Sequence, residues 1–303
     1  MIFKTNLPVA VAHAAALAAL VTAGAAKADP AVIYDMGGKF DKSFNQAAFD
    51  GAERWKKETG KNYLEFEISN PTQREQAKRR MAERGADPIV GIGFSQGTSL
   101  EKVAKDFPKL KFAIIDSVVN LPNVQSIVFK EHEGSFLVGM MAALASKTGK
   151  VGFVGGMDIP LIRKFACGYE QGAKFANPKA QVTTNMTGTT PAAWNDPARG
   201  AELAKAQFAG GVDVVFAAAG GTGIGVYQSA KDAGKLAIGV DSNQNHLQPG
   251  TMLTSMVKRV DVAVYNAFMD AKNDSFSYGF NVLGLAEGGV DYAMDDNNAP
   301  LVS

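Results

Sequence analysis

The chain has a single cysteine, Cys167, and three histidines among its 303 residues. One cysteine cannot form a disulfide within the chain, so stability must come from packing. Beyond residue 28 the histidines are His132 and His246, which lie far apart and have no cysteine nearby in sequence. No group has the spacing of metal ligands, and we expect neither a metal nor a cofactor.

The chain also lacks a strong excess of either charge. Lys and Arg number 31, and Asp and Glu number 30. Removal of residues 1–28, which contain Lys4 and Lys27, would leave one net negative charge. A near-neutral surface argues against nucleic acid or an anionic membrane as the main partner.

The first 28 residues have the pattern of a signal peptide. Lys4 precedes the apolar run LPVAVAHAAALAALVTAG, and Ala26-Lys27-Ala28 forms a small-x-small cleavage site. His13 interrupts the run, which makes a retained membrane span the weaker interpretation. Because no cysteine follows the run, we expect a periplasmic protein, exported by this signal peptide and not lipid-anchored.

Short apolar runs alternate with amphipathic helical patterns through the rest of the chain. Such alternation gives mostly parallel sheets covered by helices on both faces. About ten strand candidates suit two sheets of ordinary size better than one. Because GKVGFVGG restarts the pattern, we predict an α/β protein with two doubly wound parallel-sheet lobes. The predicted N-terminal lobe is 29–130, completed by about 276–303, and the C-terminal lobe is 131–275.

Glycine, aspartate and phenylalanine recur directly after the predicted strands. The segments are DMGGKFDKSFN, GIGFSQG, IIDSVVN, VGGMDIP, VFAAAGGTG and GVDSNQN. In open parallel sheets, ligands bind outside the carboxyl ends of the strands. We therefore expect a binding cleft where these segments meet.

The first of these segments leads into a helix. Ser43 and Gln46 have the spacing of a capping box. Phe40 and Asp41 lie outside the apolar stripe of this helix. The Phe40 ring either packs on the first helical turn or stacks on a planar ligand, whose polar edge Asp41 or Asn45 would then contact. Asp41 could also simply favour the positive end of the helix.

A family resemblance is carried by DMGGKFDKSFNQAAFDG, VGFVGGMDIPLIRKFACGYEQGAKFANP, VVFAAAGGTGIGVYQSA, and GVDSNQN with LTSMVK. These segments resemble the basic membrane protein family, the purine-nucleoside-receptor-like solute-binding proteins of ABC importers. The resemblance implies a type I periplasmic-binding-protein fold, a purine nucleoside in the cleft and an ABC permease of the inner membrane as partner. Family members are often lipoproteins and usually continue past the last crossing between lobes, whereas this sequence stops at NNAPLVS.

The resemblance also implies which residues contact the ligand. The matching positions are Phe40 and Phe216 for stacking of the base, Asp41, Asn45 and Asp116 for its edge, and Gly221, Asp241 and Lys258 for the ribose. Trp194, which starts a predicted helix, and Asp158 are weaker candidates for the cleft. Stacking contributes ~1–3 kcal/mol whichever base is bound, so selectivity must come from edge hydrogen bonds. Phe216 could instead be core, Asp241 a turn residue and Lys258 a solvated one.

Other functions fit the sequence less well. Gly221, Gly223 and Gly225 follow a strand, but the last interval is one residue short of a dinucleotide-binding motif. An exported nucleoside hydrolase would need a metal-held or base-activated water. A sugar or another small signalling molecule would also suit the fold. We expect a monomeric binding protein rather than an enzyme.

Overall fold

The structure, a computed structural model, describes residues 28–302. All but the last residue of the predicted signal peptide, 1–28, lies outside the described residues. Within 28–302, no helix combines the length and the apolar character needed to cross a membrane.

Twelve strands and eight α-helices alternate along the described residues. The strands are β1 (Ala31–Tyr34), β2 (Leu64–Glu67), β3 (Ile89–Gly91), β4 (Phe112–Ile115), β5 (Val124–Phe129), β6 (Lys150–Met157), β7 (Gln181–Gly188), β8 (Val214–Ala218), β9 (Leu236–Asp241), β10 (Met252–Lys258), β11 (Gly279–Leu283) and β12 (Val290–Tyr292). The helices are α1 (Phe44–Thr59), α2 (Gln73–Glu83), α3 (Gly97–Asp106), α4 (Glu131–Ala145), α5 (Pro160–Ala176), α6 (Pro197–Ala209), α7 (Gly223–Asp232) and α8 (Val260–Lys272).

The strands form two six-stranded sheets. The first has the order β11-β5-β4-β3-β1-β2, and the second has the order β12-β10-β9-β8-β6-β7. Neighbouring strands are parallel, except that β12 runs antiparallel to β10. We call the sheet containing β1 with its helices the first lobe, and the sheet containing β6 with its helices the second lobe. The prediction of two parallel-sheet α/β lobes is confirmed.

The core strands are apolar because helices cover both faces of each sheet. Strands β1, β4 and β8 are buried along their whole length, as expected for central parallel strands. Helix α1 packs closely on α8, and a Cβ at Gly51 would come within 2.1 Å of the carbonyl oxygen of Asp261. The glycine therefore permits this close approach of the two helices.

The chain passes between the sheets after β5, after β10 and between β11 and β12. Two packing contacts in the structure do not follow the predicted division into segments 131–275 and 276–303. Helix α8 packs on α1 of the first lobe, and β12 pairs with β10 of the second. A tertiary contact of this kind leaves no mark on the alternation of apolar runs, and the assignment of residues to lobes stays a prediction.

Candidate functional site

The carboxyl ends of strands from both sheets face one cleft. Its lining contains four aromatic rings (Phe44, Phe94, Phe165 and Trp194) and five charged side chains (Asp35, Asp41, Asp116, Asp241 and Lys258). The space between the lining atoms is about 600 Å³, including the part open to solvent. A cleft that combines aromatic faces with a few polar groups suits a planar ligand with polar edges.

Asp41 caps helix α1 with its carboxylate. Its Oδ1 accepts hydrogen bonds from the backbone N–H groups of Ser43 (2.8 Å) and Gln46 (3.1 Å), and its Oδ2 accepts from that of Asn45 (3.0 Å). Burial raises the pKa of Asp41 to about 7, although the three N–H donors act in the opposite direction. The predicted capping box is wrong, because Asp41 rather than Ser43 satisfies these donors.

Asn45 holds the loop between β1 and α1. Its Oδ1 accepts from the backbone N–H of Asp35 (3.2 Å), and its Nδ2 donates to the carbonyl oxygens of Asp35 and Gly38, both at 3.2 Å. The amide is therefore engaged within its own loop. Asn45 lines the cleft, but its hydrogen bonds hold the loop that carries Asp41.

Asp241 is the last residue of β9 and is buried, with φ of +64°. Its Oδ2 accepts a hydrogen bond of 2.6 Å from Oγ of Ser43 in the first lobe. Burial raises the pKa of Asp241, while Lys258 and the Ser43 hydroxyl oppose the rise. A buried carboxylate needs such partners, because an unpaired one is costly to desolvate.

Asp116 and Lys258 form a buried ion pair. The Nζ atom of Lys258 lies 2.6 Å from Oδ2 of Asp116 and 3.3 Å from Oε1 of Glu131. Oδ1 of Asp116 has no hydrogen-bond partner within the described residues. Burial raises the pKa of Asp116 although Lys258 lowers it. Burial alone would lower the pKa of Lys258, but the surrounding carboxylates raise it, so the ammonium is charged at neutral pH.

Three rings surround the Lys258 ammonium. The centroids of Phe44, Phe129 and Phe165 lie 5.2, 5.0 and 5.7 Å from Nζ. Such contacts help to stabilise a desolvated cation. Phe44 and Phe165 therefore contact the Lys258 ammonium. The other two rings that line the cleft, Phe94 and Trp194, are not among the rings around this ammonium.

Neither predicted stacking ring lines the cleft. Phe216 is fully buried in β8 and packs against Phe153 and Tyr169, with ring centroids 5.4 Å away in each case. Phe40 is 58% exposed and makes an edge contact with Phe49 of α1. Phe216 is a core residue and Phe40 packs on α1. For each ring, this position is the alternative to stacking on a ligand that the sequence left open.

The other candidates divide between the cleft and its surroundings. Trp194 lies in the cleft with its ring against β6, where a Cβ at Gly156 would come within 2.1 Å of Cζ3. Gly221 is buried in a short turn beside the Trp194 backbone, and it is Gly220 that lines the cleft. Asp158 lies outside the cleft, paired with Arg163 at 2.8 Å.

Sequence reasoning missed Phe94, Asp35 and Glu131. Phe94 stands in GIGFSQG, one of the segments recognised after a strand, and Asp35 follows β1 directly. The recurrence of Phe and Asp at strand ends was therefore the signal for these two. For Glu131, the available signal was only a carboxylate at the first position of a helix whose later turns are apolar. No group of three or more His, Cys, Asp or Glu side chains within 28–302 could hold a metal ion.

The family profile described as "ABC transporter substrate-binding protein PnrA-like" matches residues 29–303. The chain belongs to this family. A relative from Lactococcus lactis subsp. cremoris, named "ABC transporter nucleoside-binding protein BmpA", is 34% identical over 91% of this chain and 84% of its own. This protein is therefore an ABC transporter substrate-binding protein, as the sequence resemblance predicted.

A solved structure supports the same assignment. An ABC transporter solute-binding protein from Aeropyrum pernix superposes with a TM-score of 0.82 at 34% identity, covering 88% of this chain and 76% of its own. The similarity includes both lobes, given this coverage. It confirms the predicted type I periplasmic-binding-protein fold.

The predicted localisation is contradicted by other relatives. A protein from Pyrococcus furiosus that is 36% identical over 88% of this chain and 70% of its own is named an uncharacterized lipoprotein, as are relatives from two further Pyrococcus species. These names describe the relatives as lipoproteins, which contradicts the prediction of a free periplasmic protein. The prediction was wrong because it relied on one negative signal, the lack of a cysteine after the apolar run.

Proposed function

We propose that the cleft binds one purine nucleoside and that the closed, loaded protein delivers it to an ABC permease. The observation that carries the proposal is the meeting of aromatic faces and buried carboxylates in one inter-lobe cleft. The Lactococcus relative named as nucleoside-binding supports the same ligand class.

The base would lie between Phe94 of the first lobe and Trp194 of the second. Both rings are half-buried and line the cleft, and Trp194 is backed by the strand at Gly156. Stacking on aromatic side chains contributes about 1–3 kcal/mol per base. Two rings on opposite lobes would couple this energy to closure of the cleft.

Hydrogen bonds to the polar edges would select the ligand. The unpartnered Oδ1 of Asp116 is an acceptor that requires a donor, such as an N–H group of a purine. The carboxylate of Asp241 and the ammonium of Lys258 would contact the ribose hydroxyls. A ligand without matching groups would leave buried charges unpaired, which is the basis of rejection.

Thermal unfolding with a ligand panel tests the proposal. Guanosine, inosine or adenosine should raise Tm, whereas ribose and amino acids should leave it nearly unchanged. Stabilisation by ribose or arabinose alone would favour a sugar-binding protein and contradict the proposal. Conversion of the nucleoside to base and ribose, seen by chromatography, would reveal a hydrolase instead.

Single substitutions then test the proposed stacking. Phe94→Ala and Trp194→Ala should each weaken nucleoside binding about fivefold to a hundredfold, as expected for loss of one stacking face. Phe40→Ala is the matched control, because its ring is exposed and lies outside the cleft lining. Equal effects of all three substitutions would contradict the assignment of the two rings.

A further inference from the structure

Ser43 lies fully buried where the two lobes meet. Asp41 caps the first turn of α1, so the Ser43 hydroxyl is not needed there. The hydroxyl instead donates to Oδ2 of Asp241 at 2.6 Å and lies 3.3 Å from the carbonyl oxygen of Val240. A serine of the first lobe thus bonds a carboxylate of the second.

Side chains of the second lobe also hold the backbone of the segment that contains Ser43. Oγ of Ser242 donates to the carbonyl oxygen of Ser43, and Nε2 of Gln244 donates to that of Lys42, both at 2.8 Å. Gln244 is itself held in the second lobe, because its Oε1 accepts from the Tyr227 hydroxyl at 2.7 Å. The Ser43 hydroxyl is therefore aimed at Asp241 by contacts that exist only while the lobes are together.

We propose that Ser43 is a positioning residue for ligand binding, acting through Asp241. Its hydrogen bond fixes one carboxylate oxygen and leaves the other to face the ribose hydroxyls. The inference rests on the proposed function and deepens it, since it explains how sugar recognition is tied to closure. Loss of the bond lowers the fraction of binding-competent protein and misplaces the acceptor at the same time.

The geometry distinguishes Ser43 from the other polar groups near Asp241. Lys258 influences Asp241 electrostatically, but its Nζ bonds Asp116. Ser43 thus supplies the close side-chain donor, and hydrogen bonds to a charged group are stronger than those between neutral groups.

Calorimetric titration with guanosine and guanine tests the proposal. Ser43→Ala should weaken guanosine binding about tenfold or more, with a smaller effect on guanine, which has no ribose. Ser146→Ala is the matched control, because Ser146 also donates to an aspartate, Oδ1 of Asp213 at 2.5 Å, outside the cleft lining. This variant should bind both ligands like the wild type.

A double-mutant cycle separates positioning from general damage. If Ser43 acts through Asp241, the Ser43→Ala/Asp241→Asn protein should bind guanosine no more weakly than Asp241→Asn alone. Additive losses, equal losses for guanosine and guanine, or wild-type binding by Ser43→Ala would each overturn the proposal.

A ligand-free measurement keeps this outcome distinct from failure of the proposed function. If the wild type binds neither probe, the proposed function fails. Small-angle scattering without ligand then tests Ser43 by itself. Ser43→Ala should have a larger radius of gyration than the wild type and Ser146→Ala. Equal radii would overturn the role of Ser43 as well.

Discussion

Asp116 and Asp241 occupy corresponding places in the two lobes but have different partners. Each stands at the end of a buried strand with φ near +65° and is followed by serine. Asp116 pairs with an ammonium, Lys258, which ends a strand of the second sheet, whereas Asp241 accepts from a hydroxyl, Ser43, of the first lobe. Each carboxylate is thus held by the opposite lobe, so the site is complete only when the lobes meet.

The largest expected effect comes from removing the cation on the Asp116 side. Lys258→Met should lower the free energy of unfolding by about 3–5 kcal/mol, because Asp116 would be left as a buried acid without its cation and Glu131 would keep only the half-exposed Lys164. Urea unfolding measures the loss. Lys164→Met is the control, because its half-exposed ammonium lies 3.6 Å from the same Glu131 and should cost less than about 1 kcal/mol. Similar losses in both variants would contradict a special role for the buried pair.

Substituting each aspartate in turn should separate base from sugar recognition. Asp116→Asn should weaken guanosine and guanine binding alike, whereas Asp241→Asn should weaken guanosine by roughly tenfold to a hundredfold and guanine much less. Calorimetry provides both affinities, and circular dichroism checks that the variants are folded. The same pattern in both variants would contradict the division of labour between the two carboxylates.

Asp41 contrasts with both aspartates, because within residues 28–302 its buried carboxylate accepts hydrogen bonds from backbone N–H groups alone. Its pKa is raised from 3.8 to about 7 by burial, so the folded state retains the proton at higher pH than the unfolded state. The stability it contributes is present at low pH and is lost as pH rises toward 7. Relative to Asp41→Asn, the wild type should lose about 2–3 kcal/mol of unfolding free energy between pH 5 and 7.5, as measured by urea unfolding. A difference that is constant with pH would contradict the raised pKa.

The smallest effect concerns the backbone that the two aspartates share. At φ near +65°, Asp and Asn are tolerated better than Ala. At each position the Ala variant should be less stable than the Asn variant by about 1 kcal/mol. Thermal unfolding of the four proteins checks this, and a penalty at one position alone would show that the two turns are not equivalent.

Fold and chemistry of the site differ in how far the sequence predicts them. Alternation of apolar and amphipathic segments predicts the two parallel-sheet lobes, because hydrophobic periodicity can be read from short stretches of sequence. The recurrence of Asp at strand ends likewise marks Asp116 and Asp241, since parallel strands end at one edge. These predictions need no knowledge of side-chain direction.

The predictions that failed depend on direction and on contacts between lobes. Phe216 lies in the middle of β8 with its ring in the core, and Phe40 lies on the surface beside Phe49. Which strand-end ring enters the cleft is set by tertiary packing, so Phe94 could not be preferred from sequence. The sequence likewise could not show that Asp41 rather than Ser43 caps α1. The Ser43 hydroxyl donates instead to Asp241, a contact that depends on the position of the second lobe.

A structure of the protein crystallised with guanosine tests the central claim most directly. We expect the purine ring between Phe94 and Trp194, an N–H group of the base at Oδ1 of Asp116 and the ribose hydroxyls at Asp241. A nucleoside bound elsewhere, or a ribose that points away from Asp241 while the Ser43 hydrogen bond is intact, would contradict it.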